Sequence, residues 1–156
     1  MTREELKSYV EGHFDGKLKS LDTGRYDPIF EIQPSDLITV AKALRDDESL
    51  KMDFLCNLGA VDTCEKLEVV YSVASTTKNL RLDFKFSLPY DNPEVDSIKE
   101  VWPGIDWYER EIWELYGINV RNHGNLKQFL LPDDWDQGNP MRKDWDAPDF
   151  IRMPEV

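Results

Sequence analysis

The chain has 156 residues and a mass of 18.3 kDa, of which 40% are hydrophobic and 12% aromatic. That composition supports one folded domain around a single core and excludes a disordered chain. The formal charge is −12, and no window supplies the basic patch that would neutralise phosphates, so nucleic acid is excluded as a partner. The longest run free of Asp, Glu, Lys and Arg is nine residues, Val69 to Thr77, far short of the roughly 20 apolar residues of a membrane-spanning helix.

Thr2 and Glu5 have capping-box spacing, and Leu6, Tyr9, Val10 and His13 follow at helical intervals until Asp15-Gly16 ends the helix. A short strand is expected over 29–33. Pro34-Ser35 then opens a second amphipathic helix, with Leu37, Val40, Ala41 and Leu44 on one stripe. Three strands follow. The first, over 52–61, places Phe54, Cys56 and Leu58 on one face. The second alternates through Leu67, Val69, Tyr71 and Val73. The third alternates Leu80, Leu82, Phe84, Phe86 and Leu88 with Arg81, Asp83, Lys85 and Ser87. Strict period two means one covered face and one wet face, with hairpin links at 62–65 and 75–79. Asn92-Pro93 reads as a helix start with Val95, Ile98 and Trp102 as its stripe, and a fourth helix is expected over about 107–116. The expected fold is α+β, a mostly antiparallel sheet with helices packed on one face, in the order α-β-α-β-β-β-α-α.

The end of the chain differs. Pro132, Pro140, Pro148 and Pro154 forbid a long helix or a central strand, yet Trp135, Trp145, Phe150 and Ile151 sit among them. The division expected is a domain over 1–131 and an extended tail over 132–156 that lays its aromatics on another chain, its own domain being the alternative. Charge is uneven as well: 51–90 is neutral, 91–116 carries a net −6 and 132–156 a net −4. A basic partner surface would therefore meet the second half.

Chemistry is sparse. Cys56 and Cys64 would lie about 26 Å apart along one strand, too far for a disulfide, and no zinc or iron–sulfur ligand spacing occurs. Met1-Thr2-Arg3-Glu4-Glu5 has no apolar leader core. The reading is a cytosolic, reduced chain without a cofactor of its own, and Cys56 is a small core residue. No phosphate loop, G-x-S-x-G or dinucleotide fingerprint is present. His123, in Asn122-His123-Gly124-Asn125, reads as a structural hydrogen-bonding residue in a turn; a catalytic role beside Asp133 or Asp134 is the alternative. In the last helix Glu109 falls inside the apolar arc, whereas Arg110, Glu111 and Glu114 project elsewhere. A carboxylate on a buried stripe needs a partner. The expected one is the Asp106 amide, in a capping box, with an ion pair to another chain as the alternative.

Glu109-Arg110-Glu111-x-x-Glu114-Leu115-Tyr116-Gly117-Ile118, then His123 and Leu126-Lys127-x-x-Leu130, resembles the signature of the C subunit of the proton-translocating NADH–quinone oxidoreductase, respiratory complex I. Leu131-Pro132-Asp133-Asp134-Trp135 and Pro140-Met141-Arg142-Lys143-Asp144 resemble that family's C-terminal segment. Lys127-Gln128 stands where the family carries an Arg-Arg pair. The resemblance implies a non-catalytic structural subunit of the peripheral arm, on the cytoplasmic face of the cell membrane, with no redox centre of its own. It implies contact with the hydrogenase-like large subunit and the iron–sulfur subunits, near the quinone-reducing end. The parent complex would carry iron–sulfur clusters and FMN or [NiFe], and the membrane would be met only through the complex. The partner-binding residues so implied are Glu109, Arg110, Glu111, Glu114, His123, Asp133, Trp135, Arg142, Lys143, Asp144 and Trp145. The same family supplies subunits to membrane-bound energy-converting hydrogenases and formate hydrogenlyase, so such a parent is the alternative. An independent small enzyme using His123 is the reading from another class.

Overall fold

Alternating apolar side chains can bury only one face of a strand, so the fold must supply helices to cover that face. In the computed structural model, residues 1–24, 26–149 and 151 are described. They form, in chain order, α1 (Arg3–His13), β1 (Lys19–Leu21), β2 (Ile29–Glu31), α2 (Leu37–Asp46), β3 (Phe54–Asp62), β4 (Lys66–Ser75), β5 (Leu80–Pro89), β6 (Glu94–Asp96), α3 (Asp106–Tyr116) and β7 (Asn119–Arg121). The main sheet runs β1-β2-β5-β4-β3, antiparallel except where β2 lies parallel to β5. The α+β class and the mostly antiparallel sheet are as expected.

The register of β4 on β5 pairs Leu67 with Leu88, Val69 with Phe86, Tyr71 with Phe84 and Val73 with Leu82. All eight side chains therefore share one face, and all are buried. Tyr71 stacks on Phe84 with centroids 4.8 Å apart. Each such side chain contributes about 1.5–3 kcal/mol on burial. The same core takes in Leu6 and Val10 of α1, the α2 stripe Leu37, Val40, Ala41 and Leu44, and Ile112 of α3. The capping box of α1 is formed: the Glu5 N–H donates to Thr2 Oγ1 at 3.3 Å, and the Thr2 N–H donates to Glu5 Oε2 at 2.8 Å.

Three expectations are corrected. In β3, Leu55 pairs with Val73 but Asn57 pairs with Ser72, so Cys56 is the extra residue of a bulge. The bulge turns Phe54 to the opposite face from Leu58: Phe54 is exposed, Leu58 is buried, and Cys56 is half-buried rather than a core residue. The helix expected from Asn92-Pro93 does not form. Glu94–Asp96 instead pairs in parallel with Asn119–Arg121, with Val95 opposite Val120 and the Arg121 side chain bonded to Asp96 at 3.0 Å. Val95, Ile98 and Trp102 are buried nonetheless, reached by a strand, a turn and the short 3-10 turn Pro103–Ile105. The Trp102 Nε1–H donates to the Met52 carbonyl at 2.9 Å. Finally β1 and β7, three residues each, were not anticipated; β1 pairs antiparallel with the neighbouring β2, whereas β7 is held by β6, over twenty residues away.

Candidate functional site: helix α3 and the strap it holds

Helix α3 is covered on two sides. Ile112 faces the sheet core, while the opposite side meets the segment 127–131, which has no regular secondary structure. Because of this second cover, Arg110 and Glu114, expected to project away from the core, are 3% and 4% exposed. Each is satisfied by backbone groups of the strap. Arg110 Nε donates to the Lys127 carbonyl at 2.9 Å, and Nη2 donates to the Gln128 carbonyl at 3.2 Å. Its guanidinium lies 4.6 Å from the Trp107 ring centre and 4.8 Å from that of Phe129. Glu114, one turn later, accepts the next three amides: Phe129 at 3.2 Å, Leu130 at 3.0 Å and Leu131 at 3.2 Å. A cation on two carbonyls followed by an anion on three N–H groups compensates both buried charges.

Glu109 is 1% exposed. It does not make the capping box in this structure. Its Oε2 accepts from Ser97 Oγ at 2.6 Å and its Oε1 from the Ile98 N–H at 2.8 Å. The cap fails because the chain enters α3 through a 3-10 turn already in helical conformation, so Ile105 is the N-cap and no side-chain cap bond forms. Burial pushes the Glu109 carboxyl up to about 7; the Ser97 and Ile98 hydrogen bonds oppose this, Asp106 adds to it and Lys99 opposes it. His123 is also buried. Its Nδ1 accepts the Asn125 N–H at 3.2 Å, and Nε2 lies 3.3 Å from the Asp106 carbonyl. Both ring nitrogens are engaged within the chain, as a structural turn histidine requires. Among the described residues no hydrogen bond or ion pair joins it to Asp133 or Asp134, both exposed.

The following segment returns to the same helix end. Gly117 adopts φ +72, closing α3 with its N–H on the Trp113 carbonyl at 3.1 Å. The left-handed conformation favours glycine, and a Cβ there would stand 2.6 Å from Asn139 Oδ1 and displace that side-chain amide. Asn139 Nδ2 donates to the Glu114 carbonyl at 3.0 Å and the Met141 N–H to the Leu115 carbonyl at 3.0 Å. Arg142 lies 4.0 Å above the Tyr90 ring centre, donates to the Tyr90 carbonyl at 3.1 Å and pairs with Asp144 at 3.1 Å. The Lys143 N–H, the Tyr90 hydroxyl and the Cys64 N–H all donate to the Asp62 carboxylate, at 2.8, 2.8 and 2.6 Å. Burial would raise the Asp62 carboxyl, but these donors and nearby Arg142 hold it below the usual range.

The tail over 132–149 thus bonds back to its own domain through Asn139, Arg142 and its backbone. Trp135 and Trp145, centroids 6.1 Å apart, pack on each other and stay half-buried; Lys143 and Asp144 are exposed and Glu111 is half-buried. Of the eleven predicted residues, α3 gathers Glu109, Arg110, Glu114 and His123 into one continuous arrangement. Arg142 and Trp145 belong to a second patch at the end of that helix. Phe150 and Pro154 lie outside the described residues. Asp62, Tyr90, Ser97 and Asn139 were missed, because each acts through a contact distant in sequence that no local pattern announces. Around the strap Trp107, Leu130 and Met141 are 57%, 54% and 51% exposed. Among the described residues no group of His, Cys, Asp and Glu could hold a metal ion, and no helix is long and apolar enough to cross a membrane.

Residues 30–150, from β2 through the strap and tail, match the family described as respiratory-chain NADH dehydrogenase, 30 Kd subunit. The chain belongs to that family. Among curated members, the C subunit of an NADH-quinone oxidoreductase from Nocardioides is 38% identical over 120 residues, covering 74% of this chain and 48% of the relative. Its counterpart from Roseiflexus is 39% identical over 116 residues, covering 72% of this chain and 66% of the relative. The C subunit of the F420H2 dehydrogenase of Methanosarcina mazei is 44% identical over 101 residues, covering 64% of each. The chain thus spans between about half and two thirds of the length of these 30 Kd subunit relatives. Two solved structures share its fold. A trypsin-resistant fragment of Nqo5 superposes with a TM-score of 0.66 at 18% identity, over 78% of this chain and 98% of the fragment. A chain of a membrane-bound sulfane sulfur reductase, an archaeal respiratory membrane complex, does so with 0.68 at 17%, over 93% and 85%.

Proposed function

We propose that the chain is a non-catalytic structural subunit of an NADH–quinone oxidoreductase of the complex I type, seated in the peripheral arm. The observation that carries this is how its family signature is used. Arg110 and Glu114 spend their charges on the strap backbone, and the product is a rigid outer surface bearing Trp107, Leu130 and Met141. Exposed aromatic and aliphatic side chains on a fixed backbone suit a lasting protein–protein contact. In this reading the surface and the outer side of 132–149 hold the hydrogenase-like large subunit near the quinone-reducing end, with the iron–sulfur subunits adjacent. Glu111, Asp133, Lys143 and Asp144 then supply the polar rim. The iron–sulfur clusters and FMN or [NiFe] belong to the partners, and the chain meets the membrane only through them, on its cytoplasmic face.

Affinity purification of the full chain from its native membranes tests this. The expected co-purifying set contains the large subunit and iron–sulfur subunits; recovery of the chain alone would overturn the reading. Truncation after Leu131 is expected to leave a cooperative thermal melt while abolishing co-purification.

A second reading keeps the role but changes the parent's electron donor. The 44% identity to the C subunit of an F420H2 dehydrogenase favours keeping it open. Oxidation of NADH, of reduced F420 or of hydrogen by the purified set separates these parents.

A further inference from the structure

The two edges of the main sheet differ. β1, at one edge, is three residues long and begins with Lys19. β3, at the other, is nine residues long, and its stretch 54–61 carries neither a charge nor a proline. Short strands, charges, prolines and bulges are how a protein keeps an open edge from pairing, and β3 has only the bulge at Cys56. Beyond that bulge the register is unbroken, from Asn57 opposite Ser72 to Asp62 opposite Leu67. The hairpin fixes where the peptide groups of this stretch point. The Thr63 N–H donates to the Lys66 carbonyl at 3.1 Å, so these two form a bonded pair, and bonded pairs alternate along an antiparallel ladder. Val61 and Gly59 therefore bond to β4, whereas the N–H and C=O groups of Leu58, Ala60 and Asp62 point away from it. Among the described residues nothing bonds to these outward peptide groups.

Apolar side chains border the open edge on both faces. On the back of the sheet Phe54 and Val61 are exposed, and a Cβ on Gly59 would meet nothing within 4 Å. On the helical side Leu55 and Ala60 are half-buried. There the chain runs along β3 from Trp102, bonded to the Met52 carbonyl, through α3 to Tyr116, which lies beside Asp62. We infer that the open edge of β3 takes a sixth strand, an extended segment with basic flanks contributed by the protein seated on the strap surface. For the source of that strand the inference rests on the assembly reading above.

Size, continuity and charge select this occupant. The stretch 57–62 is about 20 Å long. A single strand of that length covers far less than the roughly 1,200–2,000 Å² of a stable interface, so it accompanies a larger contact. The tail joins the edge to that contact: the Met141 N–H donates to the Leu115 carbonyl at the end of α3, and the Lys143 N–H to Asp62 at the end of β3. The helix between them belongs to the segment 91–116, net −6, whose two cations are spent, Lys99 on the His123 carbonyl and Arg110 on the strap. Basic flanks suit a strand laid beside that helix, and a second copy of this chain, itself −12, does not. The outward peptide groups supply the main-chain bonds of strand addition, and the apolar borders receive its alternating side chains.

The test compares residue-resolved hydrogen exchange in the full chain alone and in the complex purified from its native membranes. In the free chain the Leu58 and Ala60 amides are expected to exchange freely, while the Gly59 amide, bonded to β4, is protected. In the complex the Leu58 and Ala60 amides are expected to slow by roughly a hundredfold or more. Ala60→Pro removes one outward donor and keeps the bonds to β4, so the chain is expected to fold. Its recovery in the complex is expected to fall by about tenfold. Ala60→Pro that folds and co-purifies at the parental level overturns the inference. Should that variant not fold, exchange in the parent chain decides: free exchange of both amides within an intact complex overturns the edge inference and leaves the assembly reading standing. Recovery of the chain by itself removes the assembly reading, and the edge inference with it. Protection of Ala60 in the free chain also overturns the inference. It assigns the edge to a second copy where the mass in solution is doubled, and to another part of the same chain where it is not.

Discussion

Replacing Glu114 is the sharpest probe of the strap. Its carboxylate is 4% exposed and accepts three consecutive amides at 3.0–3.2 Å. Hydrogen bonds to a charged acceptor contribute about 1.5–3 kcal/mol each, and unmet buried donors cost about 1–3 kcal/mol each. The Leu130 side chain is exposed, so water reaches part of the strap once it lifts and the three contributions do not add in full. Glu114→Ala is expected to destabilise the chain by about 3–5 kcal/mol. Glu114→Gln keeps the volume and one acceptor oxygen but turns an NH2 toward the strap donors, and about 2–3 kcal/mol is expected. Urea denaturation gives the total, and amide exchange resolved by residue shows where it acts. Phe129, Leu130 and Leu131 should lose protection first, while Tyr71 and Phe84 at the sheet centre change only with the global stability. A loss under about 0.5 kcal/mol in Glu114→Ala with the strap amides still protected would refute the clamp.

Gly117→Ala should lower stability by about 1–2 kcal/mol from the left-handed backbone alone, and more through displacement of the Asn139 side chain. The thermal midpoint and Met141 amide protection measure the two parts separately, and an unchanged midpoint would refute the steric reasoning. Asp62→Asn should flatten the acid limb of the stability profile. The depressed Asp62 carboxyl contributes stability that is present above its unfolded value and lost as pH falls through the folded one. Parallel acid titrations of both chains by circular dichroism would contradict the assignment if their profiles coincided.

How much was legible in the sequence depended on where each partner lay. β4 and β5 declared themselves through period-two alternation, and α1 and α2 through a capping box and one apolar stripe, all signals contained within a few residues. The helix misread at 92–102 had the right spacing for the wrong reason. Val95, Ile98 and Trp102 are all buried, but β6 buries the first by pairing with β7, which lies over twenty residues on. Glu109 was rightly seen on an apolar arc, but its partners Ser97 and Ile98 sit across a turn that sequence does not fold. Arg110 and Glu114 looked solvated because a helix projection shows one buried side, and this helix has two. Bonds from Asn139, Met141 and Arg142 to the end of α3 and to Tyr90 end on backbone carbonyls, which composition does not record.

The strap is gripped by its peptide groups, and this governs what evolution or a designer can do to it. Arg110 touches carbonyls and Glu114 touches amides, so apart from the Phe129 ring the side chains over 127–131 are free to be rewritten without disturbing the grip. One residue type is barred: proline at 129, 130 or 131 would delete a donor that Glu114 needs. Pro132 stands at the first place where that restriction ends. A surface loop whose backbone is fixed while its lettering is open behaves as a changeable label on an unchanging fold. Related assemblies could exchange partners by altering four residues, with the sheet, the helix and their core left as they are.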